Sequence, residues 1–280
     1  MHLVILDDYD KTSEWAAKYV RNRILDFKPG PDKYFVLGVP TGRTPKGMYK
    51  KLVEFYQQGV LSFKYVKTFN MDEYVNCPKD HPESINYFMW DHLFKHVDIL
   101  PENVHIFDGN APDLDKECKE YEEKIEAAGG IELCITGVGP DGYISCNLPG
   151  SSLVSRTQVT KLTYGPEAIA AQSRFFNGEV STLAFTVGMG TIMDAREVMI
   201  MVTGARKSVA LYKAVEEGVN HMWPVSAFQQ HPRAIIICDE DATLELRVKT
   251  VKYFKDLMPI HNELVADSHN ISEVHGQKNK

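Results

Sequence analysis

The stretch YFVLGVPTGRTPKGMYKKL, residues 34–52, joins two hydrophobic patterns through a short segment rich in glycine and proline. Its first part is a continuous apolar run, which is typical of a strand buried on both faces of a sheet. Its second part opens a segment that places Met48, Leu52 and Phe55 at helical spacing. A buried strand followed at once by such a helix is the building unit of a parallel α/β fold.

The same alternation continues along the chain. Because most of the apolar runs have no polar face, they predict a mostly parallel sheet with helices on both faces. No internal repeat or linker interrupts the pattern, so we predict one α/β domain over residues 1–266 and a polar, disordered tail over residues 267–280. The other apolar runs are HLVIL, VKTFNM, VHIFDG, ELCITGVG, TLAFTVGMG, EVMIMVTG and AIIICDE.

Composition argues against several classes of function. The net charge of −7 disfavours non-specific binding to nucleic acid or to an anionic membrane, since both require a basic surface. The N-terminal MHLVILDDYD lacks the features of a signal peptide, and no later apolar stretch approaches a membrane span, so we expect a cytoplasmic protein. Five separated cysteines without metal-type pairing predict reduced thiols and no metal site: Cys77, Cys118, Cys134, Cys146 and Cys238.

The loop PTGRTP after the first quoted strand predicts an anion site. Backbone N–H groups of the turn, the Thr41 and Thr44 hydroxyls and the positive end of the next helix would converge on a phosphate. We predict Thr44 as the helix N-cap and Pro45 as the first helical residue. The loop lacks the Gly-Lys-Ser/Thr spacing of a nucleoside triphosphate site, and an ordinary capped turn stays as the alternative.

A second strand exit, VKTFNMDEYVN, is predicted to end with Asp72 and Glu73 side by side. Two adjacent acids at such a position usually belong to a solvated loop. A carboxylate close to a phosphate-binding loop is, however, suited to removing a proton beside a carbonyl group, as in aldose–ketose isomerisation.

The third exit, GVGPDGYISCNLPG (residues 137–150), carries glycines at G-x-G-x-x-G spacing. It does not fit a dinucleotide-binding motif, because Asn147, Pro149 and Gly150 oppose the helix that should follow. The glycines instead favour a tight turn in which the backbone approaches a ligand and Asp141 points toward it.

Together with SSLVSRT, SRFF, VGMGTIMDAREVMI, VNHMWPVSAFQQHP and CDEDATLELRVKTVKYF, these loops resemble the glucosamine-6-phosphate deaminase (isomerase) family over about residues 1–265. The resemblance implies a single Rossmann-like α/β domain that usually assembles into hexamers. It implies a reaction that opens the sugar ring, moves a proton from C2 toward C1 and releases ammonia to leave fructose 6-phosphate. It also implies no organic cofactor and no catalytic metal.

The resemblance assigns site residues as well. Asp72 matches the carboxylate that takes the C2 proton, and Asp141 matches the first member of an Asp–His–Glu ring-opening triad. This chain has Tyr143 where the family has the histidine and Leu148 where it has the glutamate. Arg43 and Lys46 replace small or apolar family residues beside the phosphate cradle. The cradle itself is matched by Thr41, Gly42, Thr44, Arg174 and Lys207.

These replacements bear directly on ring opening, which moves a proton from the anomeric hydroxyl to the ring oxygen. An imidazole with a pKa of about 6.5 both accepts and donates a proton at pH 7. Tyr143, with a reference pKa of about 10, stays protonated, and Leu148 accepts no hydrogen bond. Loss of such a shuttle costs about 10²–10⁴ in rate. We therefore predict a deaminase impaired at ring opening, in which Asp72 still acts on sugar that opened in solution.

Two alternatives stay open. The first is a non-catalytic sugar-phosphate-binding paralogue or companion subunit, in which Tyr143 and Leu148 fill an emptied pocket and Tyr143 bonds Asp141. The second, a minor one, is a hydrolase like the 6-phosphogluconolactonases, whose similar loop also has a histidine where Tyr143 stands. The expected partners are an amino-sugar 6-phosphate and either other copies in a homo-hexamer or an active paralogue in a hetero-oligomer.

The resemblance finally implies an effector site for N-acetylglucosamine 6-phosphate between subunits. Regulated family members hold its phosphate with basic residues just after SSLVSRT, where this chain has Gln158 and Thr160. Ser151, Tyr253 and the N-terminus are still present. Neutral side chains hold a phosphate poorly, so we predict weak or absent activation. The nearby LTYGPEAIAAQSRFF resembles the family's mobile lid, altered in length.

Overall fold

The computed structural model describes residues 1–162 and 182–266, so Arg174, most of the lid-like segment and the predicted tail lie outside it. The strands in these residues are β1 (His2–Leu6), β2 (Phe35–Val39), β3 (Val66–Asn70), β4 (Asp72–Tyr74), β5 (Val104–His105), β6 (Leu133–Gly137), β7 (Gln158–Lys161), β8 (Leu183–Thr186), β9 (Val198–Val202) and β10 (Ala234–Asp239). Seven of them pair side by side in the order β1-β10-β9-β6-β2-β3-β5, and all these pairings are parallel. The predicted mostly parallel α/β sheet is thereby confirmed.

Helices follow most of these strands, and their termini show why they begin and end where they do. The Asp8 carboxylate caps the first helix by accepting a bond from the Lys11 N–H, and Lys28 ends that helix in the left-handed region with φ of 52°. The α-helices in the described residues are α1 (Tyr9–Phe27), α2 (Lys46–Gln57), α3 (Ile85–His92), α4 (Leu114–Ala127), α5 (Met189–Met193), α6 (Ser208–Val215), α7 (Val248–Asp256) and α8 (Met258–Glu263).

Two apolar clusters cover the two faces of the main sheet. One contains buried residues of α1, α2 and α3, and the other contains buried residues of α4, α5 and α6. Successive strand residues enter opposite clusters, as Ile200 and Met201 of β9 do. The absence of a polar face in the apolar runs is explained by this double covering.

A second, three-stranded sheet has the order β4-β8-β7, and both of its pairings are antiparallel. Our expectation that Asp72 and Glu73 end a strand of the main sheet is therefore wrong: β3 ends at Asn70, and both acids belong to β4 of the smaller sheet. The run TLAFTVGMG likewise supplies β8 there. No glycine or proline separates β3 from β4, so the residue pattern carries no sign of this change of sheet.

The strand order creates a topological switch point between β2 and β6. From β2 the chain continues outward through β3 to β5, whereas from β6 it continues through β9 to β10 in the opposite direction. Loops that leave the carboxyl ends of β2 and β6 therefore diverge and leave a crevice between them, which is where ligands bind in open α/β sheets. PTGRTP and GVGPDGY are these two loops.

The helices of residues 1–162 and 182–266 include none that combines the length and apolar composition needed to cross a bilayer.

We predict that Gly188→Ala strongly destabilises the fold. Gly188 precedes α5, and a Cβ there would lie 2.2 Å from the carbonyl oxygen of Ser155 and 2.4 Å from that of Arg156. Because both obstacles are backbone atoms, the chain must shift, and we expect a loss of more than about 2 kcal/mol in the free energy of unfolding. Urea titration measures it. Gly218→Ala is the matched control, since a Cβ there meets nothing within 4 Å; equal losses would contradict the prediction.

Candidate active site

The β2–α2 loop is held by hydrogen bonds from two tyrosines, of which Tyr49 is buried and Tyr9 is half-buried. Tyr49 donates its hydroxyl hydrogen to the Pro40 carbonyl oxygen over 2.5 Å. Tyr9, at the start of α1, donates to the Arg43 carbonyl oxygen over 3.0 Å and accepts a bond of 2.8 Å from the Gly47 N–H. Gly42 lies between the two bonded residues Pro40 and Arg43 and has φ of 103°, a conformation that favours glycine. The loop thus has a defined shape, with Thr41 half-buried and Arg43 exposed.

Our assignment of Thr44 as the N-cap of α2 is wrong. The helix begins at Lys46, Pro45 occupies the cap position, and no side chain caps it. Thr44 instead lies in the preceding turn, because the loop tightens one residue later than predicted. Its hydroxyl oxygen lies 3.5 Å from that of Thr203, the residue that follows β9. This contact brings the loops after β2 and β9 together across β6.

The loop after β9 is shaped by a buried carboxylate from the neighbouring strand. Both carboxylate oxygens of Asp239, at the end of β10, accept bonds of 2.9 Å from the Gly204 N–H. The Ala242 N–H donates to the same carboxylate over 2.9 Å. Gly204 takes φ of 85°, and the following short turn leads to Lys207 just before α6. Lys207 thereby lies on the loop that approaches Thr44 through Thr203.

The loop after β6 is a tight turn, as its glycines predict. Gly142 has φ of 74° and donates its N–H to the Gly139 carbonyl oxygen over 2.9 Å. The Tyr143 ring covers Gly139 so closely that a Cβ at Gly139 would lie 1.9 Å from the Tyr143 Cε1 atom. Asp141 is exposed at the tip, whereas Tyr143 and Leu148 are half-buried. The three positions of the predicted triad therefore lie on one loop beside the switch point.

Asp72 faces this loop from β4. Its Oδ2 atom accepts a hydrogen bond from the Cys146 thiol, with 3.7 Å between oxygen and sulfur. Burial raises the pKa of the Asp72 carboxyl from its ordinary 3.8 to about 6, although the Cys146 hydrogen bond favours the ionised form. A carboxylate with this pKa is matched to taking a proton near neutral pH.

The Glu73 side chain lies on the opposite face of β4 from that of Asp72 and makes different contacts. Its carboxylate accepts bonds from the backbone N–H groups of Tyr74 at 2.8 Å, Ile85 at 3.1 Å and Asn86 at 3.0 Å. Two of these donors belong to the first turn of α3. Burial raises the pKa of Glu73 to about 7, opposed by those three donors. Glu73 therefore ties β4 to α3 and does not face the loop after β6.

Sequence reasoning missed Thr186 of β8, which connects Asp72 to the loop. Thr186 pairs directly with Asp72 in the small sheet. Its hydroxyl oxygen accepts a bond of 3.2 Å from the Cys146 N–H and one of 3.3 Å from the Asn147 side-chain amide. A threonine inside an apolar strand carries no signal for such a role, since the contact depends on how the two sheets meet.

The predicted effector residues lie on separate elements. Gln158 and Thr160 are on β7, where Gln158 pairs with Thr186 and Thr160 pairs with Ala184. Ser151 follows the β6 loop, and its N–H donates to the Leu148 carbonyl oxygen over 2.9 Å. Tyr253 is on α7 and is 61% exposed. Gln158 and Asp72 therefore flank the same residue of β8 in one sheet.

Across the described part of the chain, no group of three or more histidine, cysteine, aspartate or glutamate side chains is arranged to hold a metal ion.

Comparison with known proteins identifies the family of this chain. Residues 7–237 match the family described as glucosamine-6-phosphate isomerases/6-phosphogluconolactonase. The chain is 65% identical over 283 residues to human glucosamine-6-phosphate deaminase 1, covering 100% of this chain and 97% of the relative. It is 64% identical over 276 residues to glucosamine-6-phosphate deaminase 2 of Xenopus tropicalis, covering 98% of this chain and 100% of that protein.

The chain belongs to the glucosamine-6-phosphate deaminase family.

Solved structures agree with the family fold. A structure described as a monomeric glucosamine-6-phosphate deaminase superposes with a TM-score of 0.82 at 33% identity, covering 88% of this chain and 100% of that one. The 6-phosphogluconolactonase of Thermotoga maritima gives a TM-score of 0.68 at 21% identity, covering 85% of this chain and 99% of that one. At that identity the likeness to the lactonase concerns the fold alone. The Rossmann-like deaminase fold is therefore confirmed.

We predict that Asp72→Asn stabilises this deaminase-family chain at pH 8 but not at pH 4. A carboxyl whose folded-state pKa is raised to about 6 contributes stability below pH 4 that is lost as the pH rises through 6, because ionisation then occurs in a buried place. Asparagine does not ionise, so the gain at pH 8 should be on the order of 1–3 kcal/mol. Denaturant titrations at both pH values measure it, and an equal effect at both would refute this account.

Proposed function

We propose that this chain binds an amino-sugar 6-phosphate at the switch point and acts as a glucosamine-6-phosphate deaminase that is slow in opening the sugar ring. The observation that carries the proposal is the Asp72 carboxylate, half-buried beside the loop after β6, with its pKa raised to about 6. At pH 7 the Asp72 carboxyl group is still mostly ionised, and because its pKa is raised, its carboxylate is a stronger base than that of an ordinary aspartate. The match over the full chain to proteins named deaminases supports the same reaction.

The phosphate would be held where the loops after β2 and β9 meet. Backbone N–H groups of the turn around Gly42 would supply donors, and the Thr44 and Thr203 hydroxyls lie 3.5 Å apart at the junction. Lys207 adds the positive charge that a chain of net charge −7 must concentrate locally. Arg174, which the resemblance also assigns to the phosphate, lies outside the described residues.

The proton step is assigned to Asp72. In the open-chain sugar it would take the C2 proton, and the electron pair of that C–H bond would move toward C1 as the C1 carbonyl oxygen gains a proton. Return of a proton to C1 and hydrolytic release of the C2 nitrogen as ammonia would then leave fructose 6-phosphate. Glu73 takes no part in this step, because its carboxylate is bonded to three backbone N–H groups on the other face of β4.

Ring opening is the step that we propose to be weak. Tyr143 stands at the family's histidine position with its ring packed on Gly139, and Leu148 stands at the glutamate position without an acceptor. A neutral phenol donates a hydrogen bond but does not take the anomeric proton near neutral pH. Turnover would then depend on sugar that opens in solution. Complete loss of activity, as in a non-catalytic companion subunit, is the limiting outcome of the same defect.

Assembly and regulation stay proposals as well. The resemblance favours a homo-hexamer or a hetero-oligomer in the cytoplasm, while a solved relative of the same fold is described as monomeric, so the fold fits more than one state. Neutral Gln158 and Thr160 favour weak or absent activation by N-acetylglucosamine 6-phosphate. Light scattering after size-exclusion chromatography measures the mass in solution, and ammonia release with and without the effector measures the activation.

We predict that Tyr143→His combined with Leu148→Glu raises ammonia release from glucosamine 6-phosphate. The pair would restore an imidazole held by two carboxylates, and general acid–base catalysis contributes about 10²–10⁴ in rate. Each single change should do much less, because the imidazole and its orienting carboxylate act as a unit. Steady-state ammonia release by the purified variants measures the effect.

The control for this rescue is a third change, Asp72→Asn, in the double variant. It should abolish the restored activity, since Asp72 takes the C2 proton however the ring opens. A double variant that binds the substrate and yet releases no more ammonia than the unaltered chain would count against ring opening as the main defect.

We predict that glucosamine 6-phosphate binds and that glucosamine without its phosphate does not. Lys207→Ala should weaken the binding about tenfold or more, because it removes a charged donor from the phosphate. Titration calorimetry on the purified protein measures both. Lys124→Ala is the matched control: it removes the same charge from the exposed last turn of α4, which leads to the amino end of β6 and not to the loops at the carboxyl ends. Equal affinity for both sugars would rule out the proposed cradle.

A further inference from the structure

Cys146 differs from the other cysteines of this chain in place and in contact. Cys77, Cys118, Cys134 and Cys238 are buried, whereas Cys146 is half-buried in the loop after β6. Its sulfur lies 3.7 Å from the Asp72 Oδ2 atom, within hydrogen-bonding distance for a thiol.

The backbone around Cys146 is held so that its side chain reaches β4. Ile144 and Asn147 bond each other in both directions, with the Asn147 N–H donating over 2.8 Å and the Ile144 N–H over 3.3 Å. Ser145 inside this turn takes φ of 51°, a left-handed conformation that is costly for a non-glycine residue. The Cys146 N–H is bound by the Thr186 hydroxyl oxygen at 3.2 Å.

The register of the small sheet gives an independent reason for the contact. Asp72 and Thr186 are direct partners in the antiparallel pair, so their side chains lie on the same face of that sheet. The Asn147 amide donates to the Thr186 hydroxyl over 3.3 Å and to the Val187 carbonyl oxygen over 2.9 Å. The turn is thereby docked on the face that carries Asp72, and Cys146 meets the carboxylate as a consequence.

We propose that Cys146 is a positioning residue for Asp72: its thiol donates a hydrogen bond that orients the carboxylate and favours its ionised form. This inference rests on the proposed function, in which Asp72 takes the C2 proton. The role belongs to the thiol as a donor and not as a nucleophile. Burial and the neighbouring Asp72 carboxylate hold the pKa of the Cys146 thiol well above its ordinary range, so the sulfur keeps its proton at neutral pH.

Several titratable groups near Asp72 have hydrogen-bond partners of their own. The Tyr49 hydroxyl donates to the Pro40 carbonyl oxygen, and the Tyr121 hydroxyl lies within hydrogen-bonding distance of the Asn70 and His105 carbonyl oxygens. Glu73 accepts bonds from three backbone N–H groups. None of these groups is a cation that would favour the ionised carboxylate. Among the described residues, the titratable groups that interact electrostatically with Asp72, Cys146 or Tyr74 include Tyr49 of α2, Glu73 of β4, Tyr121 of α4 and Tyr143 of the β6 loop.

The test compares Cys146→Val, which keeps a similar volume without a donor, with Cys146→Ser, which keeps a donor. The chain is labelled with ¹³C at the aspartate carboxyl carbon, and the Asp72 resonance is identified by its loss in Asp72→Asn. We expect Cys146→Val to move the Asp72 titration midpoint upward by about 0.5–1 pH unit, since a donor that favours the charged form is lost. Cys146→Ser should keep the midpoint close to that of the unaltered chain.

Controls separate this role from a structural one. Cys118→Val changes a buried cysteine of α4 in the same way and should leave the Asp72 midpoint in place. Cys146→Ala, a smaller change without a donor, replaces Cys146→Val if thermal unfolding shows that the valine variant does not fold. An unchanged midpoint in the variant without a donor, or an equal upward shift in Cys146→Ser, would overturn the proposal.

The titration also distinguishes failure of this proposal from failure of the proposed function, because it requires no turnover. If ammonia release is measurable, the acid limb of kcat against pH should move upward in Cys146→Val together with the Asp72 midpoint, with KM little changed. If the midpoint moves as expected while no variant releases ammonia, Cys146 positions Asp72 and the proposed deaminase activity is what fails.

Discussion

The close packing at Gly38 is the constraint on which the rest of the site depends. Gly38 of β2 pairs with Cys134 of β6, and a Cβ at Gly38 would lie 3.0 Å from the Cys134 sulfur and 3.1 Å from the Met71 Cε atom. Glycine thus lets Met71 pack over the paired strands at the switch point. Met71 is the one residue between β3 and β4, so this packing lies where the chain leaves the main sheet and Asp72 begins the second. A larger residue at position 38 would press on the Cys134 sulfur and on the Met71 side chain beside that junction.

The spacing of apolar residues determines how much of the fold can be predicted from the sequence. The apolar runs of β2, β6, β9 and β10 and the helical spacing of Met48 and Leu52 mark elements buried on one or both faces, and these appear as predicted. The small sheet was missed because β4 has only three residues and follows β3 after a single residue. Its pairing with β8 joins residues more than a hundred positions apart, and local patterns hold no information about such partners.

The same limit applies to the site. The loops themselves were predicted, because strand exits followed by glycine-containing turns are local patterns. The contacts that give them shape were not: the Tyr9 hydroxyl on the Gly47 N–H, the Thr44 and Thr203 hydroxyls, and Asp239 on the Gly204 N–H each join different elements. The adjacent acids Asp72 and Glu73 show that contacts between elements, and not the local sequence, decide what a side chain does. Strand alternation sends one carboxylate toward the β6 loop and the other to the first turn of α3, so similar residues have different roles.

The two halves of the proposed chemistry rest on different parts of the framework. Asp72 is held by the small sheet, whereas Asp141, Tyr143 and Leu148 lie on the loop after β6 of the main sheet. The turn around Cys146 joins them through the Thr186 hydroxyl. Changes at the proposed ring-opening positions therefore need not displace the carboxylate that we propose takes the C2 proton, provided that this turn stays docked. A chain can in this way lose one proton-transfer step while the framework for the other persists. The contact of the Cys146 thiol with Asp72 helps to hold the turn and the carboxylate next to each other.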